Sequence, residues 1–210
     1  MNEIAQEQAL LFLREISCER ADRRLFSKVS LEVFAGEIVQ IEGPNGAGKT
    51  SLLRIICGLL RPVDGEVIFR NVRFSDEPEA FYRDCVYIGH QSGIKKELTV
   101  AENLSFYASA SLNSLAMSVA EAIEAVGLRG YNNVSCAELS AGQHRRVALA
   151  RLLIATQKLW ILDEPFVALD KRAVTWLEGV LIKHARNGGA VVFTSHQDFG
   201  SDYAIKTLSL

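Results

Sequence analysis

Apolar and polar residues alternate in the first part of the chain, which is the pattern of half-buried β-strands. The clearest case is residues 25–34, where Val29, Leu31 and Val33 share one face. The segments that predict strands in this way are residues 10–13, 25–34, 38–41, 67–69 and 85–89. Helical spacing interrupts them and predicts a helix from near Lys49 to near Leu60, marked by Leu52, Leu53, Ile56, Leu59 and Leu60.

From about residue 91 the pattern becomes helical. Thr99 followed by Glu102 matches a capping box and predicts the start of a helix. Two more helices are predicted from apolar positions three and four residues apart, at Leu115, Val119, Ala122, Ile123 and Val126 and at Val147, Ala150 and Leu153. We therefore interpret the stretch from about Gln91 to about Gln157 as a helical insertion.

The last quarter of the chain predicts strands and a helix in alternation. Residues 159–162 are continuously apolar, as in a parallel strand that is buried on both faces. A helix is predicted from about Lys171 to Gly188. A second buried strand is predicted at 190–194 and a short final strand at 204–210. This order predicts an α/β fold.

Composition and charge exclude several classes of protein. The 210 residues fit one α/β domain with an inserted subdomain, and 49% hydrophobic with 23% charged residues is ordinary for a globular protein. With 23 basic and 25 acidic side chains the net charge is −2, so no positive field favours nucleic acid as a partner. No apolar run approaches the ~20 residues that cross a bilayer. The N-terminus lacks the pattern of a signal peptide, so we expect a cytosolic location.

Cysteines and histidines do not form a recognisable metal site. The four cysteines are Cys18, Cys57, Cys85 and Cys136. They contain no C-x-x-C pair, so we expect buried free thiols. We expect His184 to pack at the edge of the core. His90 could be a ligand or end a strand, and we favour the second interpretation. His144 is expected on a helix surface with Arg145 and Arg146.

One stretch carries phosphate-binding chemistry. Between the strand 38–41 and the following helix stand Gly43, Pro44, Asn45, Gly46, Ala47, Gly48, Lys49 and Thr50, the pattern G-x-x-x-x-G-K-T. The glycines let successive N–H groups turn toward a phosphate, and the helix N-terminus adds the positive end of its dipole. Lys49 would reach the β- and γ-phosphates, and the Thr50 hydroxyl would complete the coordination of a Mg²⁺ ion.

Two acidic residues follow the apolar strand 159–162. Asp163 lies at the carboxyl end of this strand, where ligands bind in open α/β sheets, and is the candidate metal-side acid. Glu164 is the candidate to orient an attacking water and accept its proton. The alternative interpretation is that the two carboxylates only cap the next helix.

A third motif runs from Leu139 to Gln143, a small-residue turn that leads into a helix. Ser140 offers a hydroxyl and Gly142 an N–H group, so the turn could bind a γ-phosphate. The alternative here is an ordinary helix cap. Ala141 stands where a glycine is usual in the family considered below. We expect Ala141 to take an ordinary conformation, because a positive φ at an alanine would cost about 1 kcal/mol.

Taken in order, these motifs resemble the ATP-binding cassettes of ABC transporters, over nearly the whole chain. The matching features are the G-x-x-x-x-G-K-T loop, Gln91 after a strand, Leu139 to Gln143, Asp163-Glu164-Pro165, Ala168-Leu169-Asp170, and His196 after a strand. The resemblance implies a P-loop NTPase fold with a three-layer α/β core, a small antiparallel β subdomain and an inserted helical subdomain. It divides the single domain 1–210 into a core (1–91 and 158–210) and a helical part (92–157).

The resemblance also implies roles for individual residues. Gly43 to Thr50, with Ser51, would bind ATP. Thr50, Gln91 and Asp163 would hold Mg²⁺, and Gln91 would also sense the water and the membrane partner. Glu164 would be the catalytic carboxylate, and His196 would contact the γ-phosphate. Ser140, Gly142 and Gln143 would face the phosphate loop of a second copy of the chain, and Asp170 matches the nucleotide-site residue called the D-loop aspartate.

One departure concerns the adenine. The family usually stacks an aromatic residue on the base, some two dozen residues before the phosphate loop. That position aligns near Arg20, where no Phe, Tyr or Trp stands. Arg20 could stack its planar guanidinium on the base. The alternative is a solvated arginine in a loop.

Within this family the chain is most similar to the ATPases of the cytochrome c maturation system, which are described as haem exporter subunits. The particular segments are Tyr87 to Lys95 and Leu139 to Gln143. The resemblance implies a peripheral protein on the cytoplasmic side of the cell inner membrane, attached through integral membrane subunits. Hydrolysis would drive haem export or release of a haem-loaded periplasmic chaperone. The alternative is the ATPase of another exporter, of lipid or drug type.

Overall fold

The fold is an α/β arrangement of two sheets and their covering helices. The structure, a computed structural model, describes residues 9–21, 23–109, 116–197, 199–200 and 202–210. The strands of this part are β1 (Leu11–Arg20), β2 (Arg23–Val33), β3 (Ile38–Glu42), β4 (Asp64–Phe69), β5 (Val72–Arg73), β6 (Cys85–Ile88), β7 (Leu159–Asp163), β8 (Ala190–Thr194) and β9 (Lys206–Ser209). Its helices are α1 (Lys49–Ile56), α2 (Pro78–Asp84), α3 (Val100–Ser109), α4 (Val119–Ala125), α5 (Ala141–Ile154) and α6 (Lys171–Arg186), with a 3-10 turn at Cys136–Glu138.

The strands form one antiparallel and one parallel sheet. The antiparallel sheet has the order β2-β1-β4-β5, and the parallel sheet has the order β6-β7-β8-β3-β9. All residues of β7 and β8 are buried, which is why each strand is apolar up to its last residue, Asp163 or Thr194. The α/β class predicted from the sequence is confirmed.

The parallel sheet separates two hydrophobic cores. On one face, Val39 and Ile41 pack with α1 and with the inner face of the antiparallel sheet. On the other face, Ile38 packs with apolar residues of α5 and α6. Strands buried between two layers of this kind bring their carboxyl ends to one edge, where the loops after β3, β6, β7 and β8 meet.

A third core lies within the helical region. Residues of α3, α4 and α5 enclose it, among them Leu104, Ile123 and Val147. The expected capping box at the start of α3 is present, since Thr99 N donates to Glu102 Oε2 at 2.8 Å and Glu102 N donates to Thr99 Oγ1 at 3.2 Å. Leu115, which the sequence assigned to a helix, lies outside the described residues. The subdomain boundaries at 91/92 and 157/158 remain predictions.

Some element boundaries differ from the sequence-based predictions. The helix after the phosphate loop ends at Ile56 rather than near Leu60. Gly58 takes a φ of +67°, and the Phe74 ring occupies the space where a Cβ would stand, so Leu59 and Leu60 leave the helix and are exposed. The predicted strand at 10–13 extends through bulges to Arg20. The short α2 and β5 were missed because segments of this length show little periodicity.

The helices in the described part of the chain are all too short or too polar to cross a membrane.

Candidate active site

The phosphate loop connects β3 to α1 at the carboxyl edge of the parallel sheet. Gly48 precedes the helix with a φ of +105°, in the left-handed region that favours glycine. A Cβ at Gly48 would lie 2.9 Å from the Phe26 ring, so close packing also requires a glycine. No side chain of the described chain caps the start of α1. Its first N–H groups are therefore available to an anion.

Lys49 is buried beneath the loop. Its Nζ donates hydrogen bonds to Gly43 O at 2.6 Å and to Pro44 O at 3.4 Å. Among the residues that the structure describes, the ammonium is thus held at the mouth of the loop only by neutral carbonyls. It carries a charge that a phosphate can pair with, without breaking an ion pair first.

Asp163 joins the phosphate loop to the ends of β7 and β8. Its Oδ1 accepts hydrogen bonds from Thr50 Oγ1 at 3.1 Å and from Thr194 Oγ1 at 2.9 Å. Its Oδ2 is buried and has no hydrogen-bond partner among the described residues. An unpaired buried carboxylate oxygen is costly, and a cation beside Thr50 would satisfy it. Thr50 and Asp163 therefore fit a Mg²⁺ ion.

Glu164 has an unusual backbone conformation and faces the same edge. Its φ is +49°, in the left-handed region that non-glycine residues rarely adopt. Its N–H donates to Thr194 Oγ1 at 2.9 Å, and its carbonyl accepts from Arg145 Nη2 at 2.7 Å. The carboxylate Oε1 lies 3.5 Å from His196 Nε2. This pairing brings the two predicted catalytic side chains together.

These groups surround a cavity of about 550 Å³. The phosphate loop contributes Pro44, Asn45, Gly46, Gly48, Lys49, Thr50 and Ser51 to its wall. The rest of the lining comes from Arg20, Leu25, His90, Glu164, Val167 and His196. Among the described residues no Phe, Tyr or Trp lines it, in agreement with the missing aromatic residue in the sequence.

The remaining predicted site residues lie elsewhere in the chain. Gln91 lines a neighbouring cavity of about 730 Å³, which Glu164 also lines. Asp170 caps α6, with its Oδ1 accepting from Ala173 N at 2.9 Å, and its Oδ2 pairs with Arg146 Nη2 at 2.6 Å. Both the capping bond and the nearby guanidinium lower the pKa of Asp170.

The small-residue turn at 139–143 is a helix cap in this chain. Gln143 N donates to Ser140 Oγ at 3.3 Å, while Ser140 N donates to Gln143 Oε1 at 2.8 Å, which is a capping box. Ala141 is the first residue of α5 and has no positive φ, so the expected ordinary conformation is confirmed. Ser140, Gly142 and Gln143 do not line the 550 Å³ cavity of their own chain.

The sequence model of the ABC transporter family matches residues 26–167, about two thirds of the chain. This chain belongs to the ABC transporter family. The resemblance drawn from its motifs is therefore confirmed.

Two relatives extend this ABC transporter match toward both ends of the chain. The "Cytochrome c biogenesis ATP-binding export protein CcmA" of Aliivibrio fischeri is 46% identical over 193 residues, which cover 92% of this chain and 95% of the relative. The protein of the same name from Shewanella oneidensis is 48% identical over 200 residues, covering 95% of this chain and 92% of the relative.

Solved structures of ABC proteins share the fold. An "ATP binding subunit of ABC transporter" superposes with a TM-score of 0.79 at 28% identity, covering 89% of this chain and 79% of that chain. The ATP-binding cassette MJ0796, in a dimeric post-hydrolysis state bound to ADP and Pi, gives a TM-score of 0.77 at 27% identity. That match covers 89% of this chain and 88% of that chain.

Three residues around the site of this ABC protein were missed or misplaced by the sequence analysis. Arg145 was expected on a helix surface but is buried, with 6% of its surface exposed. The signal was present, since Arg145, Leu149 and Leu152 lie four and three residues apart and form one buried stripe of α5. His144 also departs from the prediction, because its Nε2 is buried. Thr194, which bridges Asp163 and Glu164, carried no sequence signal.

The His184 prediction is confirmed. His184 packs at the core edge, stacked on Trp160 with 3.6 Å between ring centroids, and its Nε2 lies 3.0 Å from Lys158 O. Burial lowers the pKa of His184 to about 4. His90 does not end a strand, because β6 stops at Ile88 and His90 lines the 550 Å³ cavity.

All four cysteines are free thiols. Three of the four cysteines are buried as expected, and Cys85 is half-buried. Desolvation and a hydrogen bond with the Cys57 thiol raise the pKa of Cys85, which disfavours its reactive thiolate form.

Proposed function

We propose that this chain is the ATP-hydrolysing subunit of a membrane ABC complex in cytochrome c biogenesis. The observation that carries the proposal is its 46–48% identity, along more than nine tenths of each chain, to CcmA proteins named for ATP-binding export in that process. Hydrolysis would drive haem export or release of a haem-loaded periplasmic chaperone. The chain would sit on the cytoplasmic side of the inner membrane, held by integral subunits.

The phosphate loop would bind the ATP phosphates through its amides and Lys49. Thr50 and Asp163 would hold Mg²⁺, in keeping with the unpaired Asp163 Oδ2. When bound, the ion would neutralise charge on the β- and γ-phosphates. Gln91 lines the adjacent 730 Å³ cavity and not the 550 Å³ cavity at the phosphate loop. It would therefore join this group only if its loop moved.

Glu164 would orient the attacking water and accept its proton. Its carboxylate is largely shielded, with 17% of the side chain exposed, and lies beside His196 at the cavity wall. His196 is more exposed and would place a donor near the γ-phosphate. The two groups line the same cavity as Lys49, where a phosphate held by the loop would meet them.

A second copy of the chain would complete each ATP site. Ser140, Gly142 and Gln143 lie at the exposed start of α5, outside the cavity formed by the phosphate loop of the same chain. The matching cassette MJ0796 is dimeric in its ADP-bound structure. Two chains would then enclose two ATP molecules, with the start of α5 of each facing the phosphate loop of the other. Closure and hydrolysis would move the membrane subunits.

The test of this mechanism is Glu164→Gln. The amide keeps the shape of the side chain but cannot accept a proton, so we expect ATP binding to persist, turnover to stop, and an ATP-bound dimer to accumulate in size-exclusion chromatography. Glu124→Gln is the matched control, because Glu124 is exposed and pairs only with Arg129 at 3.3 Å. Unchanged steady-state hydrolysis in Glu164→Gln would contradict the assigned base.

The pathway needs a separate test. The full chain should restore haem attachment to c-type cytochromes in bacteria that lack their own CcmA, measured by haem staining of membrane proteins. The chain carrying Glu164→Gln serves as the inactive control. Co-purification with the subunits of a lipid or drug exporter, together with failure to restore haem attachment, would contradict the pathway and leave the ATPase assignment intact.

A further inference from the structure

Arg145 of α5 makes four hydrogen bonds within the described part of the chain, and all four go to backbone carbonyls. Nε donates to Pro165 O at 3.2 Å and Nη1 to Gly89 O at 3.1 Å. Nη2 donates to Asp163 O at 3.0 Å and to Glu164 O at 2.7 Å. Three of these carbonyls belong to consecutive residues of the turn after β7, and the fourth follows β6, two residues before Gln91.

This guanidinium holds a strained turn. Glu164 has a φ of +49°, which persists only where the surroundings fix it. Its amide is held by Thr194 and its carbonyl by Arg145. The two side chains therefore fix both peptide groups that flank the Cα of Glu164, and this sets the direction in which its carboxylate leaves the backbone.

A buried cation without a carboxylate in hydrogen-bond contact is a costly feature. Burial lowers the pKa of Arg145, while the nearby charges of Asp163 and Glu164 oppose that change. A planar fork of five donors can serve several carbonyls at once, which the point charge of a lysine cannot. The geometry suits arginine in particular.

Two neighbouring contacts also link α5 to residues 163–170. Arg146 pairs with Asp170, and Gly142 packs so closely that an added Cβ would lie 2.9 Å from Ala168 O. Together with the Arg145 contacts, they join the first half of α5 to residues 163–170. A displacement of α5 is therefore transmitted to the turn that carries Glu164.

We propose that Arg145 is a positioning residue for hydrolysis, which ties the direction of the Glu164 carboxylate to the position of α5. The proposal rests on the proposed role of Glu164 as the base. Since α5 begins with the residues expected to face a second copy of the chain, Arg145 would align the carboxylate when the two copies close. Its effect would fall on the hydrolytic step and spare nucleotide binding, since Lys49 and Thr50 make no hydrogen bond to it.

Arg151 provides a matched control on the same helix. It is also shielded, and burial lowers its pKa as it does for Arg145. Its guanidinium lies over the Tyr107 ring at 3.7 Å and donates to Tyr87 O at 3.4 Å. Arg151→Gln should therefore disturb α5 and its packing without releasing the turn at Glu164.

The experiment compares Arg145→Gln, Arg145→Lys and Arg151→Gln in the full chain. The first readout is amide hydrogen exchange of residues 163–169 without nucleotide, at a temperature where each variant is folded. The amides of Glu164 and Val167, which bond to Thr194 Oγ1 and Glu164 O, should exchange about tenfold faster or more in both Arg145 variants. Arg151→Gln should leave them as in the natural chain.

The second readout is steady-state ATP hydrolysis. Both Arg145 variants should lower kcat by about 10- to 100-fold with little change in KM, because a misplaced base affects the chemical step. Arg145→Lys keeps the charge, so it also carries the test if Arg145→Gln does not fold. A purely structural role would lower the melting temperature and leave kcat per folded molecule unchanged.

Three results would overturn the proposal: unchanged exchange at 163–169 in the Arg145 variants, an unchanged kcat beside an active natural chain, or full rescue by Arg145→Lys. If the natural chain itself does not hydrolyse ATP, the proposed function fails. The exchange data then decide alone whether Arg145 holds the turn.

Discussion

Thr50 and Asp163 are 113 residues apart in the sequence, and Thr50 Oγ1 donates a 3.1 Å hydrogen bond to Asp163 Oδ1. This bond joins the first residues of α1 to the end of β7, two elements that leave the same edge of the parallel sheet. It leaves Asp163 Oδ2 buried and unpaired among the described residues. The pair is therefore arranged for a cation that both Thr50 Oγ1 and the Asp163 carboxylate can bind.

Replacing Asp163 by asparagine should remove the dependence of nucleotide binding on Mg²⁺. The amide carries no charge for the ion, so ATP hydrolysis should fall on the order of 100-fold or more. Thermal stabilisation by ATP should become equal with Mg²⁺ and with a chelator. Asp76→Asn, at an exposed residue of the antiparallel-sheet side, should keep the difference between the two conditions. A persistent Mg²⁺ effect in Asp163→Asn would exclude Asp163 as a ligand.

Lys49→Ala should abolish the stabilisation of the chain by ATP. A ligand at 100 times its Kd stabilises the folded state by about 2.7 kcal/mol, so the natural chain should show a clear rise in melting temperature. The variant loses the ammonium held at Gly43 O and should show almost none. Lys183→Ala changes an exposed lysine in the last turn of α6 and should respond as the natural chain does. An equal rise in both variants would rule out the role of Lys49.

Two glycine-to-alanine substitutions should have opposite effects on stability. At Gly142 the new methyl group would lie 2.9 Å from Ala168 O, so forcing α5 and the 163–170 segment apart should cost about 1–3 kcal/mol. At Gly179 in α6 the added methyl meets no heavy atom within 4 Å. Alanine there should stabilise by about 0.5–1 kcal/mol. Denaturant unfolding measures the change in the free energy of unfolding of each variant. A change of the same sign in both variants would contradict the close approach at Gly142.

His184 should make stability depend on pH in the acid range. Its folded pKa of about 4 lies below the unfolded value, so the unfolded chain binds more protons between those two pH values. The contribution of His184 to the free energy of unfolding is fully present above about pH 6.5 and is lost as the pH falls toward 4. The total contribution is on the order of 3 kcal/mol.

The measurement for His184 compares urea unfolding of the natural chain and His184→Gln from pH 7 to pH 4. The variant should be less stable at neutral pH, because it loses the stack on Trp160. As the pH is lowered, the free energy of unfolding of the variant should fall less steeply than that of the natural chain. The two slopes should differ by at most about 1.4 kcal/mol per pH unit. Parallel curves for the two proteins would show that His184 is not the titrating group.

The periodicity of the sequence was sufficient for the elements of the parallel sheet. Residues 159–162 and 190–193 are apolar without interruption because β7 and β8 are buried on both faces, and such strands have a recognisable composition. Boundaries were less accurate. The helix after the phosphate loop was predicted four residues too long, because Leu59 and Leu60 continue its apolar spacing. The helix stops before Gly58, whose φ of +67° is that of a C-terminal glycine cap, with Gly58 N donating to Ile55 O at 3.0 Å and Leu59 N to Arg54 O at 2.8 Å.

The sequence by itself determined the phosphate chemistry of this protein, since the G-x-x-x-x-G-K-T loop and the Asp163-Glu164 pair are local patterns with local physical reasons. Tertiary structure alone decided which charged groups serve that chemistry from a distance. From the sequence, Arg145 is expected at the surface, beside two other polar residues. In the structure it is buried, because carbonyls up to 56 residues away converge on it. The local pattern places Arg145 on the buried stripe of α5, but which carbonyls it meets depends on how strands and helices pack.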